Sequence, residues 1–209
     1  PAYAEGRIYL QSLSSMLPPV LMKPQIGTDI LDMAAAPGSK TTQLAAITKN
    51  GCRITACEMN HIRAERLRHN VSLLGASCVY VMETDSRRLD SVFSFDSILL
   101  DAPCSGSGTL HFESETSQEN PGFTEELISK CVRSQKALLA KAISLLKPGH
   151  EMIYSTCSVL ANENEDVVSW ALSGGGLEIV PLDNDWLDTL PRLPVRLDGT
   201  LCVMPDELY

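Results

Sequence analysis

Short runs of β-branched and apolar residues alternate with longer stretches of helical spacing along this chain, and that alternation constrains the architecture more than any single motif does. Residues 28–34 (TDILDMA), 52–59 (CRITACEM), 77–83 (SCVYVME), 97–101 (SILLD) and 151–155 (EMIYS) read as strands. Several are apolar at nearly every position, the pattern of strands covered on both faces. Between them, residues 40–48, 62–74, 124–146 and 164–172 have helical periodicity, with Gly75 ending the second of these helices and Pro148-Gly149 the third. The βαβα order predicts an α/β fold: a doubly wound, Rossmann-like, mostly parallel sheet with helices on both faces. Residues 8–17 read as an opening helix punctuated by Pro18 and Pro19, and residues 178–182 and 200–204 are two further candidate strands. The longest irregular stretch, residues 111–123 (HFESETSQENPGF), has the length and polarity of a functional lid.

No apolar run approaches the ~18 to 20 residues of a membrane span, and no basic region followed by an apolar stretch opens the chain. The expected setting is therefore intracellular, in the cytoplasm, with no membrane. Seven cysteines are scattered without a Cys-x-x-Cys pair, which suits neither a disulfide framework nor a zinc knuckle. Free thiols in a reducing compartment, and no metal, are expected. The net charge of −9 opposes holding a nucleic acid by the overall field, so a local basic patch has to help. Arg63, Arg66, Arg68, Arg87 and Arg88 are the candidates, set against the ordinary reading of such residues as solvated surface.

In a doubly wound sheet the ligand lies beyond the carboxyl ends of the strands, which directs attention to the first strand-to-helix turn. It reads Ala34-Ala35-Ala36-Pro37-Gly38-Ser39-Lys40-Thr41. Small side chains let the backbone approach a ligand, Gly38 tolerates a tight turn, and a helix beginning near Lys40 offers amide donors to a carboxylate. Such a turn can hold the methionine part of S-adenosylmethionine. It lacks the Gly-x-Gly-x-x-Gly of a dinucleotide site, and Gly38-Ser39-Lys40-Thr41 only echoes a Walker loop. Glu58, ending the second strand, is a candidate acceptor for ribose hydroxyls, and Asp85, after the third, for an adenine amino group. Each is alternatively a cap for the helix that follows; their regular placement at successive strand ends favours the ligand reading.

The fourth and fifth strands deliver Asp101-Ala102-Pro103-Cys104-Ser105-Gly106-Ser107-Gly108-Thr109 and Tyr154-Ser155-Thr156-Cys157-Ser158. A lone cysteine near a buried strand is usually an inert core residue. Two at adjacent strand ends, each in a turn of small polar residues, point instead to chemistry. Carbon 5 of cytosine is a poor nucleophile, but a thiolate added to carbon 6 makes the ring an enamine whose carbon 5 can accept a sulfonium methyl. A second polarisable group beside the base can then assist loss of the carbon 5 proton and expulsion of the first thiolate. Asp101 is placed to hydrogen-bond the cytosine amino group and ring nitrogen, and Lys40 to stabilise negative charge nearby.

DMAAAPGSKT, DAPCSGSGT, YSTCS followed by NENED, and the opening EGRIYLQSLSSMLPP together resemble the Sun-type (NOL/NOP/Sun) RNA cytosine-5 methyltransferases over nearly the whole chain. The resemblance implies that Cys157, in the Thr-Cys motif, is the nucleophile and that Cys104, in the Pro-Cys motif, helps release the product. DNA cytosine-5 methyltransferases attack with their Pro-Cys cysteine, so Cys104 as nucleophile stays open. The resemblance further implies that residues 34–40, Glu58, Asp85 and Asp101 bind S-adenosylmethionine, and that the substrate is RNA, ribosomal RNA ahead of transfer RNA. Ser39 stands where a second glycine is common and Ala34 for a common cysteine, both small enough to keep the turn, and His150 stands for a glycine after Pro148-Gly149. An N-terminal RNA-binding region and a final Gly-Phe-Phe-type strand are usual in the family, and neither is seen. Residues 1–209 are thus expected to be a methyltransferase catalytic domain in fragment form. Two other classes compete: a non-catalytic assembly module that binds the cofactor and RNA, opposed by the paired cysteines, and a nicotinamide-dependent oxidoreductase, opposed by the glycines of the first turn.

Overall fold

The structure, a computed structural model, describes residues 8–109, 123–182 and 184–205. The lid expected over residues 111–123 falls outside them save for Phe123. The chain forms two compact units, Pro1–Asp101 with Ala140–Ser155 and Ala102–Leu139 with Thr156–Tyr209.

In the first unit β1 (Asp29–Asp32), β2 (Arg53–Glu58), β3 (Val79–Glu83), β4 (Phe95–Asp101) and β5 (Leu146–Ser155) form a sheet in the order β3-β2-β1-β4-β5. Every pairing in it is parallel, with Ile30 of β1 facing Ile54 on one side and Ser97 on the other. The chain starts at the centre, steps outward to β3, and returns across β1 to β4 and β5. With right-handed crossovers, that reversal winds the two halves onto opposite faces, as the alternating pattern predicts. The central strands are the buried ones: Ile30, Leu31, Ile98, Leu99 and Leu100 are 0% exposed. At about 1.5–3 kcal/mol for each such side chain, these runs anchor the core. Ile30, Leu44, Ile54 and Leu99 pack into one cluster, with Val71, Val79 and Ile153 against it.

The ladder between β4 and β5 is interrupted: Phe95 pairs with Leu146, but Ser97 pairs with Glu151. The intervening Lys147-Pro148-Gly149-His150 bulges out because Pro148 has no donor and Gly149 turns at φ 75°. Regular pairing resumes at Glu151, where the sequence places the strand. α2 (Ser39–Ile47), α3 (His61–Leu73), α4 (Glu125–Leu145) and α5 (Glu165–Ser173) lie within a residue or two of their predicted bounds. No described helix is long and apolar enough to cross a membrane.

Three expectations are corrected. The opening helix, α1, spans Leu13–Leu21 rather than residues 8–17 and contains Pro18 and Pro19. Ser12 caps it by accepting the Ser15 N–H, and the prolines forfeit only the bonds to Ser14 and Ser15 while Pro18 still accepts from Met22. In the second unit, residues 178–182 form no strand. Pro181 cannot donate to a ladder, and the Leu182 N–H goes to the Gly199 carbonyl at 3.2 Å. The candidate at 200–204 shrinks to β7 (Cys202–Val203), paired antiparallel with an unforeseen β6 (Arg192–Leu193).

Candidate functional site

From Asp32, the last residue of β1, the chain turns through Met33 to Gly38 into α2. Neighbouring strands and α3 hold that turn. Met33 donates to the Leu99 carbonyl at 3.0 Å and Ala35 to that of Cys57 at 2.9 Å. From α3, Arg63 Nη2 donates to the Ala36 carbonyl at 2.8 Å and Asn70 Nδ2 to that of Pro37 at 2.7 Å. Gly38 sits at φ 108°, and a Cβ there would stand 2.9 Å from Leu67 Cδ1. As the N-cap of α2 it offers no capping side chain, so the helix start keeps amide donors for an outside carboxylate, as the methionine end of S-adenosylmethionine requires.

Beneath the turn, Asp32 is 1% exposed. Its Oδ2 accepts from Thr41 Oγ1 at 2.6 Å and its Oδ1 has no hydrogen-bond partner. Burial pushes its carboxyl from 3.8 up to about 6, against the opposing pull of the Thr41 hydroxyl. Lys40 Nζ lies 2.8 Å from Asp101 Oδ2 and donates to Ser15 Oγ at 3.0 Å. Asp101 Oδ1 accepts from Ser155 Oγ at 2.7 Å, and the two are register partners at the ends of β4 and β5.

Glu58, also buried, accepts the Asn60 N–H at 2.8 Å, with Arg63 Nε 3.4 Å from its other oxygen. The cap of α3 is Asn60 itself, which accepts the Arg63 N–H at 3.1 Å. Asp85 does cap: it accepts the Arg87 N–H at 3.0 Å at the start of a single 3-10 turn. The Arg87 guanidinium, 2.6 Å away, holds the Asp85 carboxyl below its ordinary range.

In the second unit the Sγ atoms of Cys104 and Cys157 are 3.0 Å apart, and neither forms a disulfide. Cys157 is exposed and Cys104 half-buried. The contact with Cys157, then burial, push the Cys104 thiol far up. Either sulfur can be the donor across this contact, and the upward push on the Cys104 thiol favours keeping a proton on Cys104. The loops bearing the pair are laced together. Gly108 donates to the Cys157 carbonyl at 3.0 Å, Ser107 and Ser158 hydroxyls meet at 2.8 Å, and Ser107 Oγ accepts the Val159 N–H at 3.0 Å. A Cβ on Gly108 would fall 2.9 Å from the Cys157 carbonyl oxygen, so this approach requires glycine.

The sequence profile of the family described as 16S rRNA methyltransferase RsmB/F matches residues 19–183. This chain belongs to that family. Among RsmB/F-like relatives it is 39% identical to the 25S rRNA (cytosine-C(5))-methyltransferase NSUN5 of Arabidopsis thaliana, over 81% of this chain and 31% of the relative. It is 37% identical to ribosomal RNA small subunit methyltransferase F of Serratia proteamaculans, over 99% of this chain and 43% of the relative. A solved methyltransferase homolog from Pyrococcus horikoshii superposes with a TM-score of 0.81 at 37% identity, covering 99% of this chain and 66% of that one. NSun6 from the same organism, solved with SFG, gives 0.85 at 28% identity over 99% of this chain and 51% of its own. The chain thus spans under half the length of the two curated relatives.

Within this RsmB/F chain the predicted site residues separate by unit. Ala34 to Lys40, Glu58, Asp85 and Asp101 belong to the first, where Lys40 and Asp101 are brought into contact, and Cys104 and Cys157 are joined in the second. Sequence reasoning missed Asp32, Ser155 and Asn70, and took Arg63 for a surface cation although it bridges the turn and Glu58. Asp32 had a legible signal: it is an acid inside an apolar strand, directly ahead of a small-residue turn.

Proposed function

We propose that this chain is the catalytic part of an RNA cytosine-5 methyltransferase that acts in the cytoplasm on ribosomal RNA. The observation that carries the reading is the pair of thiols 3.0 Å apart, one exposed and one half-buried. Cys157 Sγ, as thiolate, adds to carbon 6 of the cytosine, forming an S–C6 bond and pushing the ring electrons to carbon 5. Asp101, supported by Lys40 and Ser155, accepts from the cytosine amino group and orients the ring for that attack. S-adenosylmethionine, when bound, supplies the methyl group that carbon 5 takes. The α2 start would receive its carboxylate, Glu58 its ribose hydroxyls and Asp85 its adenine amino group, with Ala34 to Ser39 leaving room for it. Carbon 5 then gives its proton to a water, the electrons of that C–H bond restore the C5–C6 double bond, and Cys157 leaves carbon 6 as thiolate, a departure that Cys104 assists from beside it. A base must leave its stack to reach the thiol, so the target is expected in a single-stranded or everted position.

Incubating the chain with S-adenosylmethionine and structured ribosomal RNA tests the proposal. Cys157→Ala is expected to lower turnover to background, a loss of about a thousandfold or more. Cys104→Ala is expected to accumulate an enzyme–RNA adduct that survives denaturing electrophoresis. An adduct that forms in Cys157→Ala and not in Cys104→Ala would exchange the two roles; no 5-methylcytosine with cofactor demonstrably bound would reject the activity.

A further inference from the structure

Glu163 and Asn164 are adjacent residues at the start of α5, and each holds the segment around a different cysteine. Glu163 is 0% exposed. Its Oε1 accepts the Ser105 N–H at 2.8 Å and its Oε2 the Ser105 hydroxyl at 2.6 Å. Gln135 Nε2, 3.4 Å from Glu163 Oε1, donates to the Pro103 carbonyl at 3.0 Å. Both neighbours of Cys104 are thereby fixed. Asn164 Oδ1 accepts from Thr156 Oγ1 at 2.6 Å, and its Nδ2 donates to the Ser158 carbonyl at 2.8 Å and that of Leu160 at 3.0 Å. Both neighbours of Cys157 are fixed in turn.

Surface anchoring does not account for this arrangement. A carboxylate removed from water is costly unless donors satisfy it, and here the donors come from the residue directly after Cys104. The cysteine segments are rich in serine and glycine and have little rigidity of their own. Two loops referred to one rigid dipeptide keep a constant separation, and sulfur-to-sulfur donation needs a constant separation. We infer that Glu163 and Asn164 are positioning residues that jointly set the distance between the Cys104 and Cys157 thiols, so that the two sulfurs stay within hydrogen-bond reach of each other. The inference rests on the reading of Cys157 as the attacking thiol.

The test measures alkylation of Cys157 by iodoacetamide across pH 6–10 in the whole chain, followed by peptide mass, with no RNA or cofactor present. Without the Cys104 donor the Cys157 thiolate is less favoured. Glu163→Ala is therefore expected to alkylate about tenfold more slowly near pH 7, the change that one unit in a thiol's midpoint makes in its thiolate fraction. Glu163→Gln is expected to match the natural chain within about twofold, since an amide still accepts the Ser105 N–H and meets its hydroxyl as a donor. Thr156→Val, nearly isosteric, and Ser105→Ala are expected to shift the midpoint in the same direction as Glu163→Ala, and they decide the matter should that variant fail to fold. Unchanged midpoints in folded Thr156→Val and Ser105→Ala, or a Glu163→Gln as slow as Glu163→Ala, would overturn the inference. The expected shifts in a chain that never methylates RNA would support it while sinking the proposed reaction alone.

Discussion

A carboxylate held out of water destabilises a fold when it ionises, and Asp32 is such a group: fully buried, with one oxygen on Thr41 and the other unpartnered. Its carboxyl titrates near 6 in the folded chain against 3.8 ordinarily, so the folded state binds the Asp32 proton more tightly than the unfolded state. The stability from this residue is therefore fully present below about pH 4 and is lost as the pH rises through about 6. A shift of about two units corresponds to roughly 3 kcal/mol. Asp32→Asn keeps an acceptor for Thr41 and removes the charge. Thermal unfolding at pH 4, 5, 6 and 7 is expected to show the natural chain losing stability across that window and the variant losing much less, with the variant the more stable at pH 7. Parallel curves would show that Asp32 is not the group responsible.

At the scale of the element, the β1–α2 turn owes its shape to one backbone position. Gly38 combines φ 108° with a Cβ position only 2.9 Å from Leu67 Cδ1, a side chain that is itself 0% exposed. Gly38→Ala is expected to cost ~2 kcal/mol or more and to weaken S-adenosylmethionine binding in calorimetric titration, whereas Ser39→Gly costs under about 1 kcal/mol. Equal effects of the two would place the constraint elsewhere in the turn. This turn was legible in the sequence because its signal is local: three alanines, a proline and a glycine between an apolar run and a helical one. The same holds for the five strands and for the cysteines at the ends of two of them. What stayed hidden depends on pairing between distant residues. Ser155 reaches Asp101 across 54 positions and Glu163 reaches Ser105 across 58, and no local pattern announces either. The shift of α1 and the absence of a strand at 178–182 have another cause: proline's effect depends on which donor it removes, two helix bonds that α1 can forgo at Pro18 and Pro19 but a ladder donor at Pro181.

For the whole molecule, charge decides how an RNA can be held. The chain carries 17 basic against 26 acidic side chains, and three of its five candidate patch arginines already face carboxylates. Arg63 pairs with Glu58, Arg68 with Glu65 and Glu83, and Arg87 with Asp85. Arg66 and Arg88 are exposed and make no ion pair among the described residues. A guanidinium must break its pair before it can take a phosphate, so only these two are available at little cost. Each phosphate neutralised on a single strand contributes about −0.7 to the slope of log affinity against log salt, giving about −1.4 for two contacts and about −3.5 for all five. Anisotropy of a labelled single-stranded ribosomal RNA segment between 50 and 300 mM KCl is expected to give weak binding with a slope shallower than about −2. Arg66→Glu is expected to flatten it further, and Arg87→Glu to leave it nearly unchanged because Arg87 is already neutralised by Asp85. A slope near −3.5 would mean that the carboxylates release their arginines to RNA, and that the acidic surface is no obstacle to binding by this chain alone.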